Sequence, residues 1–141
     1  STWPLPVSLA EANPEVAREL GRLRALLPDS AEQMAELFYP AAFLAAQPAY
    51  RAHFKSAQPR SARSDRRGAT LGDRPGVDLA TITQPTLLIA GELDRVVPHT
   101  LTLSLSQAIR DTRSIVLPGV GHLSLAQAPA QVAAHLREFL S

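Results

Sequence analysis

Asp94 and His122 are the two titratable side chains whose settings could do chemistry. Asp94 comes four residues after Ala90 in the run GELD, and His122 comes five after Leu117 in PGVGH. A carboxylate that accepts from an imidazole N–H fixes the tautomer of the ring and supports the imidazolium that forms when the ring takes a proton. That is the acid–base half of a nucleophilic triad. A plainer reading stands beside it. Asp94 could be a loop aspartate that caps the following helix or pairs with Arg95, and His122 could bond only to backbone in its glycine-rich turn.

Both residues lie near the ends of a stretch, Gln84–His122, that can bring them together. Thr86–Ala90 (TLLIA) and Ser114–Leu117 (SIVL) are short and continuously apolar. Such runs suit strands buried on both faces, as in a parallel sheet. Between them Leu101, Leu105 and Ile109 recur at helical spacing with Leu103 beside them, which predicts an amphipathic helix over His99–Ile109. Parallel strands end on the same side. Asp94 and His122 are therefore expected at the carboxyl edge of the sheet, where open α/β sheets carry their ligands.

The run P-T-L-L-I-A-G-E-L-D-x-V-V-P, then S-I-V-L-P-G-V-G-H, then a closing helix, resembles the carboxyl-terminal portion of the α/β-hydrolase family. The resemblance covers about Leu79 to Leu140. In that family the acid follows a late strand in a G-x-x-D turn, matched by Gly91–Asp94. The histidine follows the last strand in a G-H turn, matched by Gly121–His122, and the chain order is nucleophile, acid, histidine. The resemblance thus implies Asp94 as acid and His122 as base. It implies hydrolysis of a small ester, amide, lactone or similar carbonyl substrate with no cofactor, in an esterase-like, serine-type enzyme. Glu92 is the x of the turn and is not chosen.

The nucleophile is missing from these residues. G-x-S-x-G does not occur. Gly68–Gly72 mimics it with Thr70, but SDRR precedes it and DRPG comes after, where the motif needs a strand and a helix. Ser104 and Ser106 fall on the expected helix, and Ser124 follows His122 without an elbow. Without a nucleophile and oxyanion donors the chain lacks the groups that carry acyl transfer, so no ester hydrolysis is expected from it alone. The alternative, from another class, is a non-catalytic binding module that keeps the scaffold.

Elsewhere along the chain, Ser1–Ser8 reads as an irregular lead-in. Asn13-Pro14 is a helix start, with Val16, Leu20, Leu23 and Leu27 at helical spacing behind it. Asp29-Ser30 opens a second helix with Met34, Leu37 and Phe38 on one face, and Pro40 and Pro48 divide Phe38–Ala57 into short helical pieces. Ala128–Leu140 closes the chain with Val132, Leu136, Phe139 and Leu140 on one face. Three segments result: a helical, cap-like segment over 1–57, an Arg/Gly-rich connector over 58–78, and a β-α-β-α part over 79–141. The expected fold is α/β, a partial α/β-hydrolase fold with two parallel strands. The cap is again an implication of the resemblance, since such hydrolases often carry helices over the site.

Composition narrows the classes. With 141 residues there is room for one domain of ordinary size, and 45% hydrophobic against 19% charged residues fits a folded protein rather than a disordered one. A formal net charge of +1 sets up no field for nucleic acid or an acidic membrane. Arg60, Arg63, Arg66, Arg67 and Arg74 are interleaved with Asp65 and Asp73 and lack aromatic companions, which reads as a solvated connector. The absence of cysteine excludes disulfides and thiolate metal sites. His53, His99 and His135 have no ligand spacing, so no metal is expected.

No signal peptide is visible, and the default compartment is cytoplasmic. The sequence begins with Ser1 and its only methionine is Met34, so the native start is expected elsewhere. Two strands make a poor core with an unpaired edge. The expected partners are a missing amino-terminal half or a second copy pairing through that edge, and a small-molecule carbonyl substrate once the site is complete. Neither nucleic acid nor membrane is expected.

Overall fold

The computed structural model describes residues 8–56 and 78–141. The chain divides into two compact units, and among the described residues one holds 8–37 and 41–56 while the other holds 38–40 and 78–141. The arginine-rich connector, with Gly68–Gly72, lies outside the described residues apart from Asp78, as does most of the lead-in.

The first unit is helical. α1 (Leu9–Ala12) opens with a capping box at Ser8, the last residue of the stretch read as an irregular lead-in. Ser8 Oγ accepts from the Glu11 N–H at 3.2 Å, and the Glu11 carboxylate accepts from the Ser8 N–H at 2.7 Å. Two donors that a helix start leaves open are satisfied at once. α2 (Pro14–Ala25) starts with Pro14 behind the N-cap Asn13, as predicted, and buries Leu20 and Leu23. Ser30 Oγ donates to the Leu23 carbonyl, which closes an acceptor near the end of α2. α3 (Ala31–Phe38) comes next and buries Ala31, Met34, Ala35 and Leu37. Pro40 and Pro48 bracket α4 (Ala41–Ala46), and a 3-10 turn runs over Pro48–Ala52. Proline has no N–H to continue a ladder, so each breaks the run where it stands. The ion pairs Arg22–Glu19 and Arg51–Glu36 are exposed and contribute little.

The second unit carries the sheet. Asp78 Oδ1 accepts from the Ala80 N–H and opens a 3-10 turn, Leu79–Thr81, that leads into β1 (Thr86–Gly91). α5 (His99–Leu103) passes into a 3-10 turn over Ser104–Gln107, and β2 (Thr112–Leu117) comes after it. The two strands pair parallel, with partners running from Thr86 and Thr112 to Gly91 and Leu117. α6 (Ser124–Gln127) and α7 (Pro129–Leu140) complete the unit.

The helix expected over His99–Ile109 is shorter than its apolar spacing suggests. Ser104 and Ser106 donate their hydroxyls to the Leu101 and Leu103 carbonyls, three residues back. Local bonds of this kind compete with the regular ladder. Leu105 and Ile109 are nevertheless buried, with Thr102 beside them.

Alternation along β1 sends neighbouring side chains to two clusters. Leu88 is clustered with Leu105 and Ile109, while Ile89 packs against Leu117, Val120, Ala128 and Val132. The expectation of burial on both faces fails for β2, where Arg113, Ser114 and Val116 are exposed and only Leu117 is buried. The cluster on the α5 side centres on Leu88 of β1 and leaves Val116 37% exposed. The apolar face of α7 is likewise only partly used. Val132 is buried, but Leu136 is 41% and Leu140 78% exposed. No described helix is long and apolar enough to cross a membrane.

Candidate active site

The loop after β1 is organised by the Asp94 carboxylate. Oδ1 accepts from the backbone N–H groups of Val96 at 2.9 Å and Val97 at 2.8 Å. The side chain is fully buried. Buried polar groups of this kind must be paired, and these two bonds fix the carboxylate to its own loop. The carboxylate thus closes its loop and does not cap the following helix, which starts at His99 behind Pro98 without a side-chain cap.

Asp94 does more than close its loop. His122 Nδ1 lies 3.1 Å from Asp94 Oδ1 and 3.0 Å from Oδ2. An ionised carboxylate only accepts, so the proton of the neutral ring sits on Nδ1 and the lone pair on Nε2. The His122 side chain is 21% exposed, whereas that of Asp94 is closed off. The imidazole meets the Phe38 ring edge-on, with centroids 5.0 Å apart and an interplanar angle of 74°. The His122 backbone N–H donates to the Phe38 carbonyl at 3.0 Å. Sequence reasoning places Phe38 only on a helix face and gives no sign of this contact.

The two loops are tied together along their backbones. The Glu92 N–H donates to the Leu117 carbonyl at 3.0 Å and the Leu93 N–H to the Val120 carbonyl at 2.8 Å. The Glu92 carboxylate accepts from the Gly119 N–H at 2.9 Å. Glu92, not chosen as the acid, serves as a brace between loops. Gly91 is required by the closeness of the approach. A Cβ there would stand 2.4 Å from the carbonyl oxygens of both Gly121 and Val120, backbone atoms that cannot swing away. At Gly119, φ is 68°, the third position of a Leu117–Val120 turn whose second residue is Pro118. That is the pattern of a type II turn, which needs glycine at this position. Gln127 reaches the same turn from α6. No local signal in the sequence marks it.

The remaining candidates lie apart from the pair. His99 opens α5, its Nδ1 3.3 Å from the Glu92 carbonyl oxygen. His53 sits in the helical unit between the rings of Tyr50 and Phe54, and His135 is in α7, 3.9 Å from Glu138. Among the described residues no three His, Cys, Asp or Glu side chains are grouped to hold a metal ion. The Ser104 and Ser106 hydroxyls are bonded within their own turns, and Ser124 is buried.

Comparisons with known proteins agree with this architecture. A family model described as the alpha/beta hydrolase family matches residues 2–135. A thermophilic esterase from Thermogutta terrifontis is similar, with a TM-score of 0.71, 26% identity and coverage of 97% of this chain and 52% of its own. A putative non-heme bromoperoxidase from Mycobacterium tuberculosis gives a TM-score of 0.67 at 21% identity, covering 89% of this chain and 50% of its own. A hydrolase from Pseudomonas aeruginosa gives 0.65 at 24%, covering 90% and 51%. The chain thus spans about half the length of these solved structures. No curated protein matches the sequence significantly.

Proposed function

Because the chain belongs to the alpha/beta hydrolase family, we propose that it supplies the acid, Asp94, and the base, His122, of a serine-type hydrolase. The substrate class is a small ester, amide or lactone-like carbonyl compound. The observation that carries this reading is the contact of His122 Nδ1 with both Asp94 oxygens, at 3.1 and 3.0 Å. With Nδ1 so engaged, Nε2 is the nitrogen available to take a proton from a nucleophile and return it to a leaving group. Asp94 would hold the ring and stabilise the imidazolium without itself becoming protonated. The likeness to an esterase favours an ester among the carbonyl classes. The helices within 9–52 are the cap-like segment in this reading.

The nucleophile and the oxyanion donors are assigned to residues other than these. Acyl transfer needs both, since donors aimed at the developing oxyanion are commonly the largest single contribution to the rate. Residues 1–141 alone are therefore expected to be inactive.

The test compares two polypeptides. Residues 1–141 are assayed with p-nitrophenyl acetate and butyrate beside His122→Ala, and the coding sequence ahead of Ser1 is read for G-x-S-x-G between a strand and a helix. Any longer polypeptide it encodes is assayed in the same way. The expected result is no turnover above the control for residues 1–141. The longer polypeptide should turn over and lose about a thousandfold or more with His122→Ala. Turnover by residues 1–141 that disappears with His122→Ala would put the nucleophile within them. Inactivity of both, with no elbow upstream, would leave the non-catalytic module as the better account.

A further inference from the structure

The Asp94 contact fixes the ring of His122 at one nitrogen, but the position of the residue itself is set by the turn Gly119–Gly121 that delivers it. Val120 anchors the middle of this turn in the apolar cluster with Leu117, Ala128 and Val132, while the glycines on either side have no side chain and are placed by what their peptide groups bond to. The Gly119 N–H is taken by the Glu92 carboxylate and the Val120 carbonyl by the Leu93 N–H. The Val120 N–H closes the turn on the Leu117 carbonyl at 3.4 Å. The Gly119 carbonyl and the Gly121 N–H are bonded outside the turn. Both go to one side chain. Gln127 Nε2 donates to the Gly119 carbonyl at 2.9 Å, and its Oε1 accepts from the Gly121 N–H at 2.8 Å.

We propose that Gln127 is a positioning residue for His122, its carboxamide clamping the Gly119–Gly121 turn through both ends so that the imidazole meets Asp94. The chemistry selects this side-chain type. A carboxamide offers a donor and an acceptor at one planar terminus, whereas glutamate when ionised only accepts and methionine offers neither in useful strength. Glutamate at 127 would keep the bond from the Gly121 N–H, present a lone pair to the Gly119 carbonyl, and add a second carboxylate to a turn that Glu92 already serves. α6 is anchored by the buried Ser124 at its start and ends at Gln127, which gives the clamp a fixed base.

The inference rests on the reading of His122 as the base, but its test reads the ring and not turnover, so an inactive protein leaves it intact. Residues 1–141 are labelled with 15N, and His122 is followed by its ring nitrogen shifts and its Nδ1–H proton in the native chain, Gln127→Glu and Gln127→Met. The native chain should show the Nδ1–H tautomer with slow exchange of that proton. In Gln127→Met the exchange should be about tenfold faster, the order expected when a bond of this kind no longer holds the closed state. Gln127→Glu, keeping one of the two bonds, should fall between them.

A purely structural role predicts something else: a lower melting temperature with the His122 signals of the folded form unchanged, and that result would overturn the proposal. Should Gln127→Met not fold, Gln127→Glu and the amide exchange of Gly121 in the native chain decide. A Gly121 N–H that exchanges as fast as in an unstructured peptide, or a Gln127→Glu variant with native His122 exchange, would equally sink it.

Discussion

The loop end of the sheet and its outer flank belong to one unit, yet they are finished to different degrees. At the loop end, backbone groups from Gly91 to His122 find partners across the two loops, in Phe38, in Glu92 and in Gln127. On the flank, Val116 of β2 and Leu136 and Leu140 of α7 stand exposed. The Asp94–His122 pair thus draws its geometry from short-range hydrogen bonds, close backbone approach and the buried Leu117 and Val120 beside it, not from the exposed flank. Perturbing either region separately will test that division.

The largest effect is expected at Gly91→Ala. A methyl group there must force apart two backbones that cannot yield, at a cost near the top of the ~1–3 kcal/mol range for overpacking. Urea denaturation measures the loss, and a variant as stable as the native chain would disprove the close approach. Asp94→Asn comes next, at about 1.5 kcal/mol, since an amide oxygen can still accept from Val96 and Val97 but the charge-assisted bond to His122 is gone. Its amide N–H₂ would also face Nδ1, so the ring should switch to the Nε2–H tautomer, visible in the His122 nitrogen shifts.

On the flank, Leu136→Lys should change stability by less than about 0.5 kcal/mol and leave the His122 signals where they are. A larger loss would mean that the flank carries weight assigned here to the loops. The smallest effect concerns Glu138. The hydrogen bond and then the charge of Arg113 hold its carboxyl below the ordinary value. A folded-state value below the unfolded one adds stability that is complete above the unfolded value and fades as pH falls through the folded one. The pair is exposed and screened by salt. The stability difference between the native chain and Glu138→Gln should therefore be present near neutrality and vanish in acid, with Asp94–His122 unaffected.

How much of this is legible in the sequence varies with the range of the forces involved. TLLIA and SIVL mark both strands because apolar content is written residue by residue, and GELD and PGVGH mark the turns because glycine and proline act locally. Asn13-Pro14 marks the start of α2 for the same reason. S-L-A-E at 8–11 is an equally local signal, masked by the prolines before it. The length of α5 is not legible, because the serine hydroxyls that break it compete with a ladder on nearly equal terms. Nor is the open face of β2, since burial depends on which elements lie above a strand and not on the strand's own composition. Glu92, Phe38 and Gln127 are invisible as site residues. The contacts of the first two span 27 residues from Glu92 to Gly119 and 84 (122 − 38) from Phe38 to His122, and sequence records no such distances. Gln127 is only six and eight residues from its partners, but a glutamine there carries no mark of what it bonds.

The pairing of Gly91 with Leu117 has one more consequence. The ladder runs from Thr86 opposite Thr112 to that last pair without a bulge, so it acts as a ruler. A parallel slip that kept each strand's faces would move one strand by two residues, or roughly 6.6 Å at about 3.3 Å per residue. One loop would overshoot the other by that amount, about twice the reach of a hydrogen bond. Inserting or deleting residues inside either strand would therefore separate acid from base even if both loops kept their sequence, whereas length changes in the crossover between the strands would leave the pair in register.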